Sequence, residues 1–207
     1  MNQKHIKMEE NKKKENIFKQ MFITRTQGFI DISKKRDFWK DLAKEFNGVF
    51  NVKHTVAKDL EKLILKIPYK QYLVEFTESD THPLKINCEL SVNYKFDFFI
   101  SYEDTLEKLL KFFGNQDIQV GDEAFDKKYL IQGEKPDLIK KVLMKDRIKT
   151  ILLSNNVFSY NCIYDKKNET VQLTSLVSRT VNSKAELSEL FELFCLTIDR
   201  MEELNII

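Results

Sequence analysis

The residues best placed to do chemistry stand in one short string, Gly121-Asp122-Glu123-Ala124-Phe125-Asp126-Lys127-Lys128-Tyr129-Leu130-Ile131, with three carboxylates inside five positions. Carboxylates this close can hold a divalent cation or divide general-acid and general-base work between them. A structural account of the same string needs no ligand. Gly121 permits a sharp turn, Asp122 and Asp126 accept hydrogen bonds from nearby backbone N–H groups, and Phe125 enters the core. No histidine, thiol or glycine-rich phosphate loop stands beside the acids to complete an active site. The structural account therefore outweighs the catalytic one: Asp122, Phe125 and Asp126 are kept as a structural or binding motif, and no catalytic residue is assigned.

The other reactive residues are scattered. His5, His54 and His82 lie far apart, and none pairs with a cysteine at ligand spacing, so no metal ligand is assigned. His54 alternates with Phe50, Val52 and Val56 and could sit in a pocket as a base, but a satisfied or strand-end histidine is the simpler reading. Cys88, Cys162 and Cys195 are separated by 74 and 33 residues, which writes neither a disulfide framework nor a CxxC site. They read as buried thiols. The five glycines fall at 28, 48, 114, 121 and 133, which excludes both GxGxxG and the P-loop, so no cofactor is expected.

Charge is locally polarised and globally balanced. The chain of 207 residues carries 34 basic and 32 acidic residues, and the first fifteen alone hold five Lys and three Glu, so the net +2 belongs to that tail. The segment Lys127 to Lys149 has eight basic and three acidic residues, while Ser183 to Ile207 has two basic and six acidic. A phosphate backbone could meet the basic run, yet only Tyr129 there offers a stacking surface and the body of the chain is neutral. Nucleic acid is disfavoured, and the two patches are expected to face each other or solvent.

Elements must position these residues. Phe38, Trp39, Leu42, Ala43 and Phe46 repeat at helical spacing across Arg36 to Asn47, with Gly48 as the stop. Strands are expected at Val49 to Val56, Leu63 to Ile67, Gln71 to Glu78, Leu84 to Val92 and Tyr94 to Tyr102. Short polar joints such as Glu78-Ser79-Asp80-Thr81 favour an antiparallel meander. Ser101 and Asp104 resemble a capping box for a helix carrying Leu106, Leu109, Leu110 and Phe113. Beyond the acidic string come a strand near Tyr129 to Ile131 and helices at Pro136 to Met144 and Asp146 to Leu153. A hairpin follows, Val157 to Asp165 with Glu169 to Ser178. Last is a long helix boxed by Ser183 and Glu186, with Leu187, Leu190, Phe191, Phe194, Ile198 and Met201 in one stripe.

The sum is an α+β chain: an antiparallel sheet of meander strands and hairpins packed against helices, with the C-terminal helix across the sheet. Met1 to Glu15 reads as a disordered arm, too polar for a signal peptide or membrane helix, and residues 16 to 207 as a single domain. A cytoplasmic address and no direct membrane insertion follow from the same composition.

The spacing Gly121-Asp122-x-x-Phe125-Asp126-x-x-Tyr129, followed by the Pro136-Asp137 helix start, a second helix, a hairpin and a closing helix, resembles an uncharacterised group of bacterial proteins with a GD-x-x-FD-x-x-[FY] signature. The match is best over Gly121 to Leu204. Many members carry membrane helices upstream, which this sequence lacks. The resemblance implies fold and a bacterial origin and carries no activity. The leading expectation is a non-enzymatic domain that binds a protein or a small ligand, with self-association left open. The alternatives are a metal-dependent hydrolase or nuclease using Asp122, Glu123 and Asp126, and an immunity-type protein that blocks a toxin.

Overall fold

The computed structural model describes residues 32–55, 60–79, 82–102, 117–155, 157–177, 181 and 183–207. The expected N-terminal arm and the expected helix through Leu106 to Phe113 lie outside these residues.

Helix α1 (Ile32–Glu45) buries Lys35, Trp39, Leu42 and Ala43 along one stripe. Its end differs in detail from expectation. The left-handed residue is Asn47, at φ 51°, and the Gly48 N–H closes the cap onto Ala43 O at 2.7 Å. Gly48 is needed for a different reason: a Cβ there would lie 2.6 Å from Lys66 O on a neighbouring strand.

Strands β1 (Val49–Thr55), β2 (Leu60–Tyr69), β3 (Tyr72–Ser79) and β4 (His82–Ser91) form the antiparallel meander. In β4 the residues Leu84, Ile86, Cys88 and Leu90 are buried, whereas Lys85, Asn87, Glu89 and Ser91 are half-buried or exposed. Strand β5 (Phe98–Tyr102) leaves the meander. It pairs with β6 (Tyr129–Gln132) and β7 (Val157–Asp165), and β8 (Thr170–Val177) takes the place beside β4. The eight strands run β1-β2-β3-β4-β8-β7-β5-β6, every neighbour antiparallel. Ser101 pairs with Leu130 and Ser159 inside β5, and the residues that would follow it in the expected helix lie outside the described ones.

Helices α2 (Glu123–Lys128), α3 (Pro136–Leu143), α4 (Asp146–Ser154) and α5 (Lys184–Glu203) complete the described elements. Ser183 caps α5 by accepting the Glu186 N–H at 3.1 Å. The apolar stripe of α5, Leu187, Leu190, Phe194, Ile198 and Met201, joins one buried cluster with Phe76, Ile86, Cys88, Ile100, Tyr160 and Leu173 of the sheet. Tyr160 locks the contact: its ring meets Phe194 edge-on at 5.7 Å and its hydroxyl is 2.7 Å from Thr197 Oγ1, both groups buried. At its far end Asn205, at φ 53°, turns the chain so that the Ile206 carbonyl accepts the Asn93 N–H at 2.9 Å. The helix is thereby tied to the sheet at its middle and at its end.

Candidate functional site

The acidic string folds into a self-satisfied turn. Gly121 stands at φ 84°, with nothing within 4 Å of where a Cβ would be, so glycine is required for its backbone and not for space. Asp122 caps α2 by accepting the Phe125 N–H at 3.1 Å. Asp126 folds back, its Oδ1 accepting the Val120 N–H and its Oδ2 the Gly121 N–H, both at 2.9 Å. Phe125 is fully buried, 4.9 Å from the Tyr129 ring. The Tyr129 hydroxyl lies 2.7 Å from Leu152 O and 2.8 Å from Val157 O, bridging the end of α4 to the start of β7. Burial pushes that phenol well up from its ordinary range.

The three carboxylates do not converge. Asp122 Oδ2 takes the Lys149 ammonium at 3.0 Å, and that ion pair, with the Phe125 N–H, holds the Asp122 carboxyl below the usual carboxylate range. Glu123 is exposed on α2. No group of three or more His, Cys, Asp or Glu among the described residues is arranged to hold a metal ion. His54 is exposed on the edge strand β1, its Nδ1 3.4 Å from Glu61, so no pocket encloses it as a base. Cys88 and Cys162 are free, buried thiols, while Cys195 is only half-buried. Burial lifts Cys88 and Cys195 to about 12 and raises Cys162 well above its ordinary value.

The basic run meets acids unevenly. Arg147 reaches Glu192 at 2.6 Å and Glu189 at 3.3 Å across to α5, and Lys149 takes Asp122 and Asp146. Lys128 gives its ammonium to Leu153 O at 2.9 Å and stands over the Tyr102 and Tyr129 rings, and Lys135 sits 4.0 Å from the Tyr94 ring centroid. Lys145 lies 4.0 Å from Glu203. No carboxylate among the described residues pairs with Lys127, Lys140 or Lys141.

Two of these three meet again in one place. Lys140, Lys141, Met144, Lys145 and Arg200 line a surface groove of about 420 Å³ between the end of α3 and the last turns of α5. Arg200 is held there by two bonds: its Nε donates to Lys141 O at 2.9 Å, covering a carbonyl that the end of α3 leaves open, and its Nη1 meets Glu203 at 2.7 Å. That bond to Arg200 holds the Glu203 carboxyl below its ordinary range. Met144, 48% exposed, is the apolar part of the lining.

The sequence shows the basic run but not the groove, because Arg200 stands in the acidic C-terminal segment. The pairing of Lys35 with Glu78 under α1 also escapes a reading of the sequence. A signal exists: Glu78 keeps the alternation of Val74 and Phe76, and Lys35 lies one helical turn before Trp39. A third such contact joins the tip of the β2–β3 hairpin to α5. The Tyr69 hydroxyl donates to Asp199 Oδ1 at 2.8 Å, and Lys70 pairs with Asp199 and Glu202.

No family model matches the chain, and no curated protein matches it. Among solved structures, the fold is similar to the crystal structure of the mycobacterial trehalose monomycolate transport factor A, TtfA, with a TM-score of 0.50 and 11% identity, over 80% of this chain and 93% of that one. At that identity the likeness is one of fold. No described helix is long and apolar enough to cross a membrane.

Proposed function

We propose that this chain is a non-enzymatic binding domain that takes a protein or small ligand on its helical face, at the groove between α3 and α5. The observation that carries this reading is the contrast between the two charged features. Asp122 and Asp126 of the GD-x-x-FD turn are spent on backbone N–H groups and Lys149, whereas no carboxylate among the described residues pairs with Lys140 or Lys141 in the groove.

The test is amide chemical-shift mapping of the intact protein against a panel of small anions, neutral sugars and short acidic peptides. Perturbations confined to residues 140–145 and to Arg200 with at least one class of probe support the reading. A panel that leaves the groove silent would overturn the reading, and turnover of a phosphodiester or ester substrate with magnesium or manganese that Asp122→Asn abolishes would replace it with the hydrolase.

A further inference from the structure

We infer that the groove between α3 and α5 is a site for a phosphate ester, the phosphate held by Lys140, Lys141, Lys145 and Arg200 and the organic part lying against Met144. This deepens the binding-domain reading and rests on it.

The first argument is charge. Four cations line one concavity, and among the described residues the only carboxylate bound to any of them there is Glu203, at 2.7 Å from Arg200 and 4.0 Å from Lys145. Like charges gathered in this way repel one another, and the repulsion is relieved by an anion. Glu203 already supplies a single carboxylate on the Arg200 and Lys145 side. A group bearing close to two negative charges and three acceptor oxygens gains more from the Lys140 and Lys141 ammonium groups than a second carboxylate would.

The second argument is geometry. Arg200 is not a loose surface side chain: the hydrogen bond from its Nε to Lys141 O and the ion pair at Nη1 hold the guanidinium against the end of α3. A fixed guanidinium loses less freedom on meeting an oxyanion than a free one does. The lysines supply mobile point charges around it. The third argument is the half-exposed Met144, a soft apolar surface in the same lining as the four cations. Free phosphate would leave that surface uncovered, whereas the organic part of a small phosphate ester covers it.

Two sources present this chemistry, a soluble metabolite and the phosphomonoester headgroup of phosphatidic acid. The test uses the full chain at low salt and follows amide shifts of residues 140–145 and Arg200. Glycerol 3-phosphate, glycerol, succinate and inorganic phosphate are titrated in turn, and phosphatidic acid vesicles are compared with phosphatidylcholine vesicles by co-sedimentation. The expected result is saturable perturbation by glycerol 3-phosphate, weaker by inorganic phosphate and absent with glycerol, lost as salt rises because the groove is open to screening. Lys140→Glu with Lys141→Glu should weaken binding at least tenfold with an unchanged circular dichroism spectrum, and Lys140→Gln with Lys141→Gln serves if the first pair disturbs folding. Retention on phosphatidic acid vesicles alone, abolished by the same variants, assigns the phosphate to a lipid headgroup. If succinate or an acidic peptide perturbs the groove as strongly as any phosphate, the phosphate ester is overturned and the binding-domain reading stands. If no probe or vesicle engages the groove, both fall.

Discussion

Lys35 on α1 and Glu78 on β3 form an ion pair inside the apolar seam between helix and sheet, with side chains 3% and 2% exposed. Trp39, one turn further along α1, and Phe76, two residues back along β3, are both fully buried. Such a pair adds little net stability, because desolvation of both ions offsets their attraction, but removing one partner strands the other.

Glu78→Gln is therefore expected to cost about 3–5 kcal/mol in urea unfolding, the range for breaking a buried pair. Replacing both partners together, Lys35→Met with Glu78→Leu, should recover most of that loss or exceed the parent. A single substitution costing under about 1 kcal/mol would show the pair to be hydrated in solution.

The GD-x-x-FD turn offers a graded series. Phe125→Ala should cost about 3–5 kcal/mol through lost burial and the cavity left behind. Asp126→Asn should cost about 1–2 kcal/mol, since the amide keeps one oxygen for two backbone N–H groups that Oδ1 and Oδ2 now accept separately. Tyr129→Phe should cost about 1 kcal/mol by leaving the Leu152 and Val157 carbonyls without the hydroxyl. Stabilisation by Asp126→Asn would instead mark a strained, functional carboxylate.

The Asp122–Lys149 pair should make stability depend on pH at the acidic end. Because the Asp122 carboxyl is held below its ordinary range in the fold, its contribution is complete above about pH 4 and is lost as pH falls through the lower folded value. The melting-temperature gap between the parent and Lys149→Met should be level from about pH 5 to 9 and close below about pH 4. A gap that persists unchanged at pH 2 would count against the ion pair.

Thiol reactivity should separate the cysteines. Burial raises all three thiols, so at pH 8 little thiolate exists, and access decides the rest. Cys195 is expected to react slowly with a disulfide reagent in the native protein, and Cys88 and Cys162 only at the rate of unfolding. Rapid reaction of Cys162, buried in β7 opposite Leu173, would mean that the sheet opens locally.

Strand β4 and helix α5 are legible in the sequence alone, because their periods, two in Leu84-Ile86-Cys88-Leu90 and about 3.6 in Leu187-Leu190-Phe194-Ile198, are local consequences of backbone geometry. The turn at Gly121 and the cap at Asp122 are legible for the same reason: donors and acceptors lie within a few residues of each other. The place of β5 is not. Consecutive strands usually neighbour one another, and nothing within Phe98 to Tyr102 states that β8 rather than β5 will lie beside β4. That choice depends on which buried faces match across seventy or more residues, as in Cys88 opposite Leu173.

The groove divides along the same line. A run of lysines at Lys140 to Lys149 is plain in the chain, but Coulomb's law acts through space, and which lysines are neutralised depends on what α5 brings near them. Glu189 and Glu192 reach Arg147; Arg200, 59 residues from Lys141, joins Lys140 and Lys141 instead of opposing them. Sequence pattern decides which residues are charged and on which face of their own helix they stand. Only the packing of α3 and α4 against α5 decides which charges cancel, because that distance is set by contacts between elements and not by the order of residues along either one.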